Sequence, residues 1–329
     1  MKCINKRFVR VCSLLLVCSL CTISGTGCGE NRLEDAFEAD LPGIGIQTSE
    51  ESSKIPYFAS DLCVTDTDVQ DIEADTEDAL AACFFNLSEK KVLYAKNIHE
   101  RMYPASTTKI MTALVALDKG DLDAQTTVSK EAITFSERGV STAKLKEGDV
   151  LTLRQLLYAL LTVSANDAAN VIAEQIAGSQ DAFVEMMNQE AQKIGATNTH
   201  FVNANGLHSE DHYTTAYDLY LMFNAAMQHE EFLQMLQEKE YQASYQAADG
   251  TTVEAVWSTT NQFTKGDVTV PDGVTAVGGK TGTTTAAMSC LVQLFEDVQG
   301  EQYVAIILGC KERGTLYQEM LTFLSNLNN

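Results

Sequence analysis

The sequence predicts a mixed α/β fold of the α+β kind, in which both ends of the chain build one antiparallel sheet and a helical lobe is inserted between them. Short apolar runs separated by turn-forming residues occupy residues 80–95 and 276–309, a pattern typical of antiparallel strands. Residues 110–227 instead carry apolar side chains at helical spacing, as in Leu156 and Leu160. Helices are therefore expected to cover the sheet.

The strands are delimited by their turn residues. Residues 80–87 and 90–95 flank a short polar break and are typical of a β-hairpin. Asp249-Gly250 lies between two further apolar segments and predicts a second hairpin, because this dipeptide favours the tight turn that joins paired strands. The remaining predicted elements are three strands at residues 276–283, 288–296 and 302–309 and a closing helix at residues 316–327.

Length and charge restrict the class of protein. A chain of 329 residues with 45% hydrophobic content can bury a large core, so disorder throughout is excluded. The net charge of -22 would repel the phosphates of nucleic acids, and no basic stripe offsets it. We therefore expect no nucleic-acid partner.

Residues 1–27 have the organisation of a signal peptide for export. Basic residues precede a 13-residue apolar run at 11–23, which is shorter than the roughly 18 residues that span a bilayer. Cys28 follows directly and resembles the lipid-modified cysteine of bacterial lipoproteins, although Gly25 stands where such sites usually carry Leu. A lipid anchor to the membrane and plain cleavage both remain open. Either way the protein is expected at the outer face of the cytoplasmic membrane or in the cell wall.

An acidic segment follows the leader. Between Glu30 and Asp78 there are 15 acidic residues against two basic ones, which predicts a solvated, disordered tether over residues 28–78. The run at residues 56–64 is a candidate for docking on the domain. We expect the folded domain to occupy residues 79–329, with its helical lobe at about 110–227.

Four cysteines lie beyond the leader and Cys28, and their spacing fits no metal site. Export permits disulfides, but three of the four sit in strand-like apolar runs, which favours buried free thiols. Connectivity stays open. Neither a metal nor a cofactor is expected. The four are Cys63, Cys83, Cys290 and Cys310.

The first chemical motif is Ser106-Thr107-Thr108-Lys109, at the start of a predicted helix. Lys109 lies one turn beyond Ser106 on the same face. The free N–H groups and the dipole of a helix N-terminus favour a developing negative charge, which suits an attacking serine oxygen. Lysine can act as the base only when neutral, and burial would lower its pKa. The alternative is an ordinary helix cap with a solvated lysine.

The second motif, Ser164-Ala165-Asn166, precedes another helical segment. A hydroxyl and an amide two residues apart on a rigid turn can face one cleft, with the hydroxyl relaying a proton and the amide orienting a substrate. The structural alternative is a capping box formed by Ser164 and Asp167. Both interpretations can hold together.

The third motif, Lys280-Thr281-Gly282-Thr283, lies in a predicted edge strand. A lysine and a hydroxyl on one strand can bind a terminal carboxylate. We expect Gly282 to remove a side chain where the substrate approaches the backbone. A second cation here would also disfavour the charged form of Lys109.

With these motifs in order, the chain resembles the serine-type D-alanyl-D-alanine carboxypeptidases, the low-molecular-weight penicillin-binding proteins of peptidase family S11. That resemblance implies a β-lactamase/transpeptidase-like fold, with a five-stranded antiparallel sheet and an inserted all-helical lobe. It begins near Leu80 and continues to the C-terminus. The segments that carry it are residues 104–114, 156–174, 201–207, 212–218 and 279–283.

The resemblance also implies roles. Ser106 would be the nucleophile and Lys109 its base, while Ser164 and Asn166 would relay the proton and hold the substrate. Lys280 and Thr281 would bind the terminal carboxylate, and the N–H groups of Ser106 and Thr283 would form the oxyanion hole. The predicted substrate-binding residues are thus Lys280, Thr281, Gly282 and Thr283. The expected reaction removes the terminal D-alanine of peptidoglycan stem pentapeptides through a serine ester. β-Lactam antibiotics would acylate the same serine. Family members often carry an arginine before the last helix, but we leave Arg313 out of the predicted site.

Three other functions are compatible with parts of the sequence. A class A-like serine β-lactamase shares the motifs but places a Glu four residues before an Asn, and no such pair lies between Asp167 and Lys280. A metallopeptidase could use the histidine and acidic cluster at residues 208–212, yet the H-E-x-x-H pattern is missing. A catalytically silent binder of cell-wall peptides would have no need for a serine matched with its base.

Overall fold

The computed structural model describes residues 59–327; the predicted signal peptide, Cys28 and the first part of the predicted tether lie outside them. The strands are β1 (Val69–Gln70), β2 (Ala81–Asn86), β3 (Lys91–Lys96), β4 (Gln125–Thr127), β5 (Val150–Thr152), β6 (Glu240–Gln246), β7 (Thr252–Ser258), β8 (Val274–Thr284), β9 (Met288–Asp297) and β10 (Gln302–Cys310). The α-helices are α1 (Lys109–Lys119), α2 (Leu153–Leu161), α3 (Asn166–Ala177), α4 (Gln180–Lys193), α5 (Ala216–Ala226), α6 (Glu230–Gln237), α7 (Gln262–Lys265) and α8 (Arg313–Leu324). A short 3₁₀ helix, Ala105–Thr108, leads directly into α1.

The main sheet joins the two ends of the described chain, as predicted. Its strands run in the order β1-β3-β2-β10-β9-β8, all antiparallel, and Cys83 of β2 pairs with Ile306 of β10. The predicted count of five strands is wrong by one. The sixth is β1, where Val69 pairs with Ala95. Two residues are too few to show an alternating pattern, so this edge strand could not be predicted from the sequence.

The lobe predicted to be all-helical contains strands. β4 and β5 pair antiparallel within it, and Val150 of β5 bridges to Gln246 of β6, which completes a second sheet in the order β4-β5-β6-β7. Strands of three residues give no reliable periodicity, so this part of the prediction was wrong for a physical reason. The hairpin predicted at Asp249-Gly250 is confirmed as β6–β7, with Gly250 at a φ of 80°.

Neighbouring side chains on β2 point to the two faces of the main sheet, and both faces are covered. Phe84 stacks on Phe323 of α8 with ring centroids 5.2 Å apart. Phe85 stacks on Tyr220 of α5 at 4.2 Å, on the side of the helical lobe. Burying an aromatic side chain stabilises the fold by roughly 1.5–3 kcal/mol, so this central strand anchors both layers.

Residues 59–78 contact the domain, although they were assigned to the tether. The backbone N–H of Cys63 donates to the Tyr220 hydroxyl at 2.8 Å. At the other face of the sheet, the N–H of Asp75 donates to the hydroxyl of Thr322 in α8 at 3.1 Å. The packed part of the chain therefore begins before the predicted boundary at residue 79.

The four cysteines of the described chain are buried free thiols, as the sequence favoured. Burial raises the pKa of Cys290 to about 12 and that of Cys310 to about 11. None of the helices within residues 59–327 is long and apolar enough to cross a bilayer.

Candidate active site

Ser106 lies in the 3₁₀ helix Ala105–Thr108, and Lys109 is the first residue of α1. Ala105 adopts a φ of 48°, which bends the chain sharply into this turn. The one-turn spacing brings Lys109 Nζ to 3.0 Å from Ser106 Oγ. The N-cap of α1 is Thr108, so the alternative in which Ser106 only caps the helix is wrong.

The Lys109 amine lies among oxygen atoms. Besides Ser106 Oγ, Nζ contacts the side-chain oxygen of Asn166 at 2.7 Å and the backbone oxygen of Asn205. Its side chain is 0% exposed, whereas Ser106 is partly exposed. The serine hydroxyl can therefore meet a substrate from the solvent side while the lysine stays covered.

Burial lowers the pKa of Lys109 well below its ordinary value of 10.5. The charge of Lys280 lowers this pKa further, and Asp167 raises it in part. The sequence predicts that Lys280 disfavours the charged form of Lys109, and in the structure Lys280 does lower the Lys109 pKa. Burial lowers that pKa more than Lys280 does.

Ser164 lies in a turn just before α3 and is buried. Its φ is 60°, a conformation that few residues other than glycine adopt. The predicted capping box is wrong, because the N-cap is Ala165, without a side-chain hydrogen bond. The Ser164 hydroxyl instead accepts a hydrogen bond of 2.9 Å from Lys280 Nζ.

Asp167 holds a loop against the start of α3. Its carboxylate accepts hydrogen bonds from the backbone N–H groups of Ala143 at 2.9 Å and Leu145 at 3.1 Å. The N–H of Asn166 donates to the backbone oxygen of Ser141 at 2.8 Å. The turn that carries Ser164 and Asn166 is therefore fixed from two directions.

Lys280 lies on β8 and is 0% exposed. In addition to Ser164, its Nζ donates to the backbone oxygen of Thr281 at 2.9 Å. Burial, followed by the charge of Arg313, lowers the pKa of Lys280 to about 7. Lys280 thus links the strand to the turn before α3 through a single hydroxyl.

The next residues of β8 present two hydroxyl groups. Thr281 Oγ1 lies 2.5 Å from Thr260 Oγ1, so one of these hydroxyls donates to the other. Thr283 is exposed, and its hydroxyl donates to the backbone oxygen of Gly282 at 2.7 Å. Of the predicted site residues, Thr283 is the one most open to solvent.

Gly282 lies where β8 meets the Ser106 turn. A Cβ at this position would lie 2.9 Å from the backbone oxygen of Pro104 and 3.0 Å from the backbone nitrogens of Ser106 and Thr107. Such distances are too short for a real side chain. Gly282 therefore lets β8 pack directly against the Ser106 turn, and its expected contact with a substrate stays a prediction.

The sequence prediction missed several residues of the site. The backbone oxygen of Asn205 accepts a hydrogen bond from Lys109, and the Asn205 side chain donates a hydrogen bond to Asn170 of α3. The segment at residues 201–207 resembles the family in sequence, but nothing in its pattern indicates the role of a backbone oxygen. Arg313, left out of the prediction, donates through Nη2 to the backbone oxygen of Thr260 at 2.6 Å.

The sequence profile of the D-alanyl-D-alanine carboxypeptidases, peptidase family S11, matches residues 68–311. The chain belongs to this family. The resemblance inferred from the motifs is therefore confirmed.

Individual relatives agree with this assignment. DacF of Bacillus subtilis, a D-alanyl-D-alanine carboxypeptidase, is 34% identical over 254 residues, which cover 75% of this chain and 62% of DacF. DacC of Escherichia coli is 32% identical, with 74% of this chain and 59% of DacC covered. The chain thus spans less than two thirds of the length of these two relatives. DacB2 of Mycobacterium tuberculosis is 35% identical, with 73% of this chain and 78% of DacB2 covered.

Solved structures of the family share the fold. The DD-transpeptidase of Streptomyces K15 superimposes with a TM-score of 0.71 at 28% identity, covering 77% of this chain and 98% of the transpeptidase. Almost the whole of the transpeptidase is matched.

The histidine cluster considered for a metallopeptidase has another role in this member of the family. His212 is buried, with Nε2 2.8 Å from Thr108 Oγ1, and Nδ1 accepts a hydrogen bond from the N–H of Val202 at 3.1 Å. Burial lowers the pKa of His212 to about 3. Within residues 59–327, no group of three or more His, Cys, Asp or Glu side chains could hold a metal ion.

Proposed function

We propose that the protein is a serine-type D-alanyl-D-alanine carboxypeptidase, which removes the terminal D-alanine from peptidoglycan stem pentapeptides through an acyl-enzyme. Family membership supports the reaction class. The observation that carries the proposal is the 3.0 Å contact between Ser106 Oγ and a buried Lys109 whose pKa is lowered. A serine with a neutral amine beside it is a nucleophile with its base.

Acylation begins with proton transfer from Ser106 to Lys109. A neutral amine has two N–H groups and one lone pair, and the oxygens of Asn166 and Asn205 can accept both N–H groups. The lone pair is then left for the Ser106 proton. As Lys109 takes that proton, Ser106 Oγ bonds to the carbonyl carbon of the terminal peptide bond, and the carbonyl oxygen becomes negative.

The N–H groups of Ser106 and Thr283 are assigned to this oxyanion. Gly282, which precedes Thr283 on β8, supports the assignment, because a Cβ at this position would lie 3.0 Å from the Ser106 nitrogen, so β8 packs closely against the Ser106 turn. When the intermediate collapses, the C–N bond breaks and the D-alanine nitrogen takes the proton that Ser106 gave to Lys109, with Ser164 assigned as the relay. Lys109 is then neutral again and can take a proton from the attacking water and return it to Ser106. Water then hydrolyses the ester.

The terminal carboxylate of the substrate is assigned to Lys280, Thr281 and Thr283, with Arg313 adding positive charge nearby. A carboxylate next to Lys280 would raise the pKa of this lysine from about 7 and favour its charged form. Binding of the substrate and protonation of Lys280 would then reinforce each other. A charged Lys280 would in turn keep Lys109 neutral.

The site of action is proposed from the leader. Residues 1–27 and Cys28 predict export and leave a lipid anchor open, so we propose that the enzyme acts at the outer face of the cytoplasmic membrane or in the cell wall. Peptidoglycan stem peptides and β-lactams are its proposed partners.

The test is release of D-alanine from a synthetic pentapeptide ending in D-Ala-D-Ala, together with labelling by a fluorescent penicillin. Wild type should release D-alanine and form a covalent adduct, and Ser106→Ala should do neither. Equal labelling of the two proteins would remove Ser106 from the mechanism. Labelling without D-alanine release would indicate a silent binder, and rapid nitrocefin turnover would indicate a β-lactamase. Transfer of the acyl group to an added amine in preference to water would point to a transpeptidase.

A further inference from the structure

Apart from Ser106 Oγ, the Lys109 amine contacts two oxygen atoms, and helix α3 positions both of them. Asn166, its first residue, supplies one oxygen directly, at 2.7 Å. Asn170 stands four residues later, on the same face of the helix. The second oxygen is the backbone oxygen of Asn205. Asn170 holds this residue by accepting a hydrogen bond of 3.0 Å from Asn205 Nδ2 at its Oδ1.

The Asn170–Asn205 pair lies in the interior and is hydrogen-bonded on both sides. Asn170 is 4% exposed and Asn205 is 5% exposed. Asn170 Nδ2 donates to the backbone oxygen of Ala132 at 2.9 Å, and Asn205 Oδ1 accepts from the N–H of Leu207 at 2.9 Å. Each amide is thus oriented by a backbone group, and neither is free to turn away.

The segment that contains Asn205 also approaches the catalytic helix closely. Thr112 of α1 donates to the backbone oxygen of Ala204 at 2.6 Å. Gly206, at a φ of 83°, would place a Cβ 1.9 Å from the backbone oxygen of Ala105. The backbone of residues 204–206 therefore lies directly against the Ser106 turn, and a small shift would alter the Lys109 contact.

We propose that Asn170 and Asn205 are positioning residues for the catalytic base. Their side-chain hydrogen bond fixes the Asn205 carbonyl relative to Asn166, so that α3 sets both acceptors of Lys109 and aims the lone pair at Ser106. This inference rests on the proposed function. Neither side chain contacts Ser106 or the carboxylate-binding strand, so both act through Lys109.

The test measures acylation by a fluorescent penicillin under single-turnover conditions, which separates the acylation rate constant from the binding constant of the drug. Asn170→Ala and Asn205→Ala should each slow acylation by roughly 10- to 100-fold, as expected when a reacting group is misplaced by about 1 Å. Binding should be unchanged. The double variant should be no slower than either single variant, because both remove one interaction.

Asn188 provides a matched control. It is an asparagine of α4 that holds the same segment at Phe201, donating to its backbone oxygen at 2.9 Å and accepting from its N–H at 2.8 Å. Asn188→Ala should reduce stability without a change in the acylation rate constant. The final extent of labelling reports the folded fraction, so a poorly folded variant is distinguished from a slow one.

Two results would overturn the inference. One is normal acylation by Asn170→Ala and Asn205→Ala, and the other is an equal slowing by Asn188→Ala. Additive losses in the double variant would likewise contradict a shared interaction. If wild type itself is not acylated, the proposed function fails instead, so the two failures are distinguishable.

Discussion

Two lysines bound the cleft, and they occupy different kinds of structure. Lys109 begins a helix and meets three oxygens, whereas Lys280 lies in a strand and meets one hydroxyl and one backbone oxygen. Both are 0% exposed, and burial is the largest cause of the lowered pKa of each. Burial alone therefore does not distinguish the proposed base, Lys109, from the proposed carboxylate-binding group, Lys280.

What separates them is their neighbours. Lys109 is next to a second lysine and to a serine at the exposed end of a turn. Lys280 lies near Arg313 and beside two threonine hydroxyls, an arrangement suited to an anion. Nearby cations keep one lysine neutral, and an arriving carboxylate would protonate the other.

Loss of the base should have the largest effect on this pair. Lys109→Ala should reduce the acylation rate constant by about 10²–10⁴-fold, the usual contribution of general base catalysis. Lys109→Arg should be similarly slow, because a guanidinium does not give up its proton. Single-turnover labelling with fluorescent penicillin measures both. Activity of Lys109→Arg close to wild type would place the base elsewhere.

Loss of Lys280 should weaken the preference for substrates with a free C-terminal carboxylate. Lys280→Ala should lower kcat/KM for a peptide with a free C-terminal carboxylate by roughly 10- to 100-fold, since a hydrogen bond to a charged group contributes about 1.5–3 kcal/mol. The same peptide ending in an amide should be affected much less. Comparing D-alanine release with D-alaninamide release checks this. An equal loss for both peptides would show that Lys280 does not read the carboxylate.

The contact between strand β8, which carries Lys280, and the Ser106 turn can be changed at Gly282. Gly282→Ala should slow acylation on the order of tenfold, below the roughly 10²-fold expected for a 1 Å misplacement, because its methyl group would push β8 away from Ser106. Gly314→Ala in α8 is the control, since a Cβ there meets nothing within 4 Å. Rates and thermal unfolding of both variants would be measured. No slowing by Gly282→Ala would mean that the close approach is dispensable.

The smallest expected effect is on stability. The pKa of Lys280 is about 7 in the folded protein and near 10.5 when unfolded, so the unfolded chain binds more protons between these values. The free energy of unfolding should therefore rise with pH above about 7, by at most about 1.4 kcal/mol per pH unit from this lysine. Below pH 7 its contribution should be constant. Lys109 acts in the same direction.

Urea unfolding of wild type and Lys280→Met at pH 6, 7, 8 and 8.5 isolates this contribution. The difference between the two proteins should stay flat from pH 6 to 7 and then change in favour of wild type. Parallel curves over the whole range would indicate that Lys280 remains charged in the fold.

The sequence predicted which side chains lie together in the candidate site better than it predicted the framework around them. Ser106, Lys109 and Lys280 were found because each motif is short and local, and the fold then brings them together. The strands from both ends of the chain were found from their alternation and turns. β1, β4 and β5 were missed because two or three residues carry no measurable period.

The roles of Asn205 and Gly282 depend on distant partners. Every residue has a backbone oxygen, so the sequence could not indicate which of these oxygens contacts Lys109. Gly282 could be recognised as necessary, but whether it faces a substrate or the Pro104 carbonyl is decided by how two segments pack. Likewise, the sequence around Ser164 is consistent with a helix cap, whereas in the structure the Ser164 hydroxyl accepts a hydrogen bond from Lys280.

The covered thiols have a practical consequence. Cys63, Cys83, Cys290 and Cys310 are unpaired and buried, so the part of the chain from residue 59 to residue 327 owes none of its stability to oxidation. This domain should mature without a thiol oxidase and tolerate reducing buffers unchanged. The enzyme could thus be prepared in an ordinary cytosolic expression host and handled in dithiothreitol.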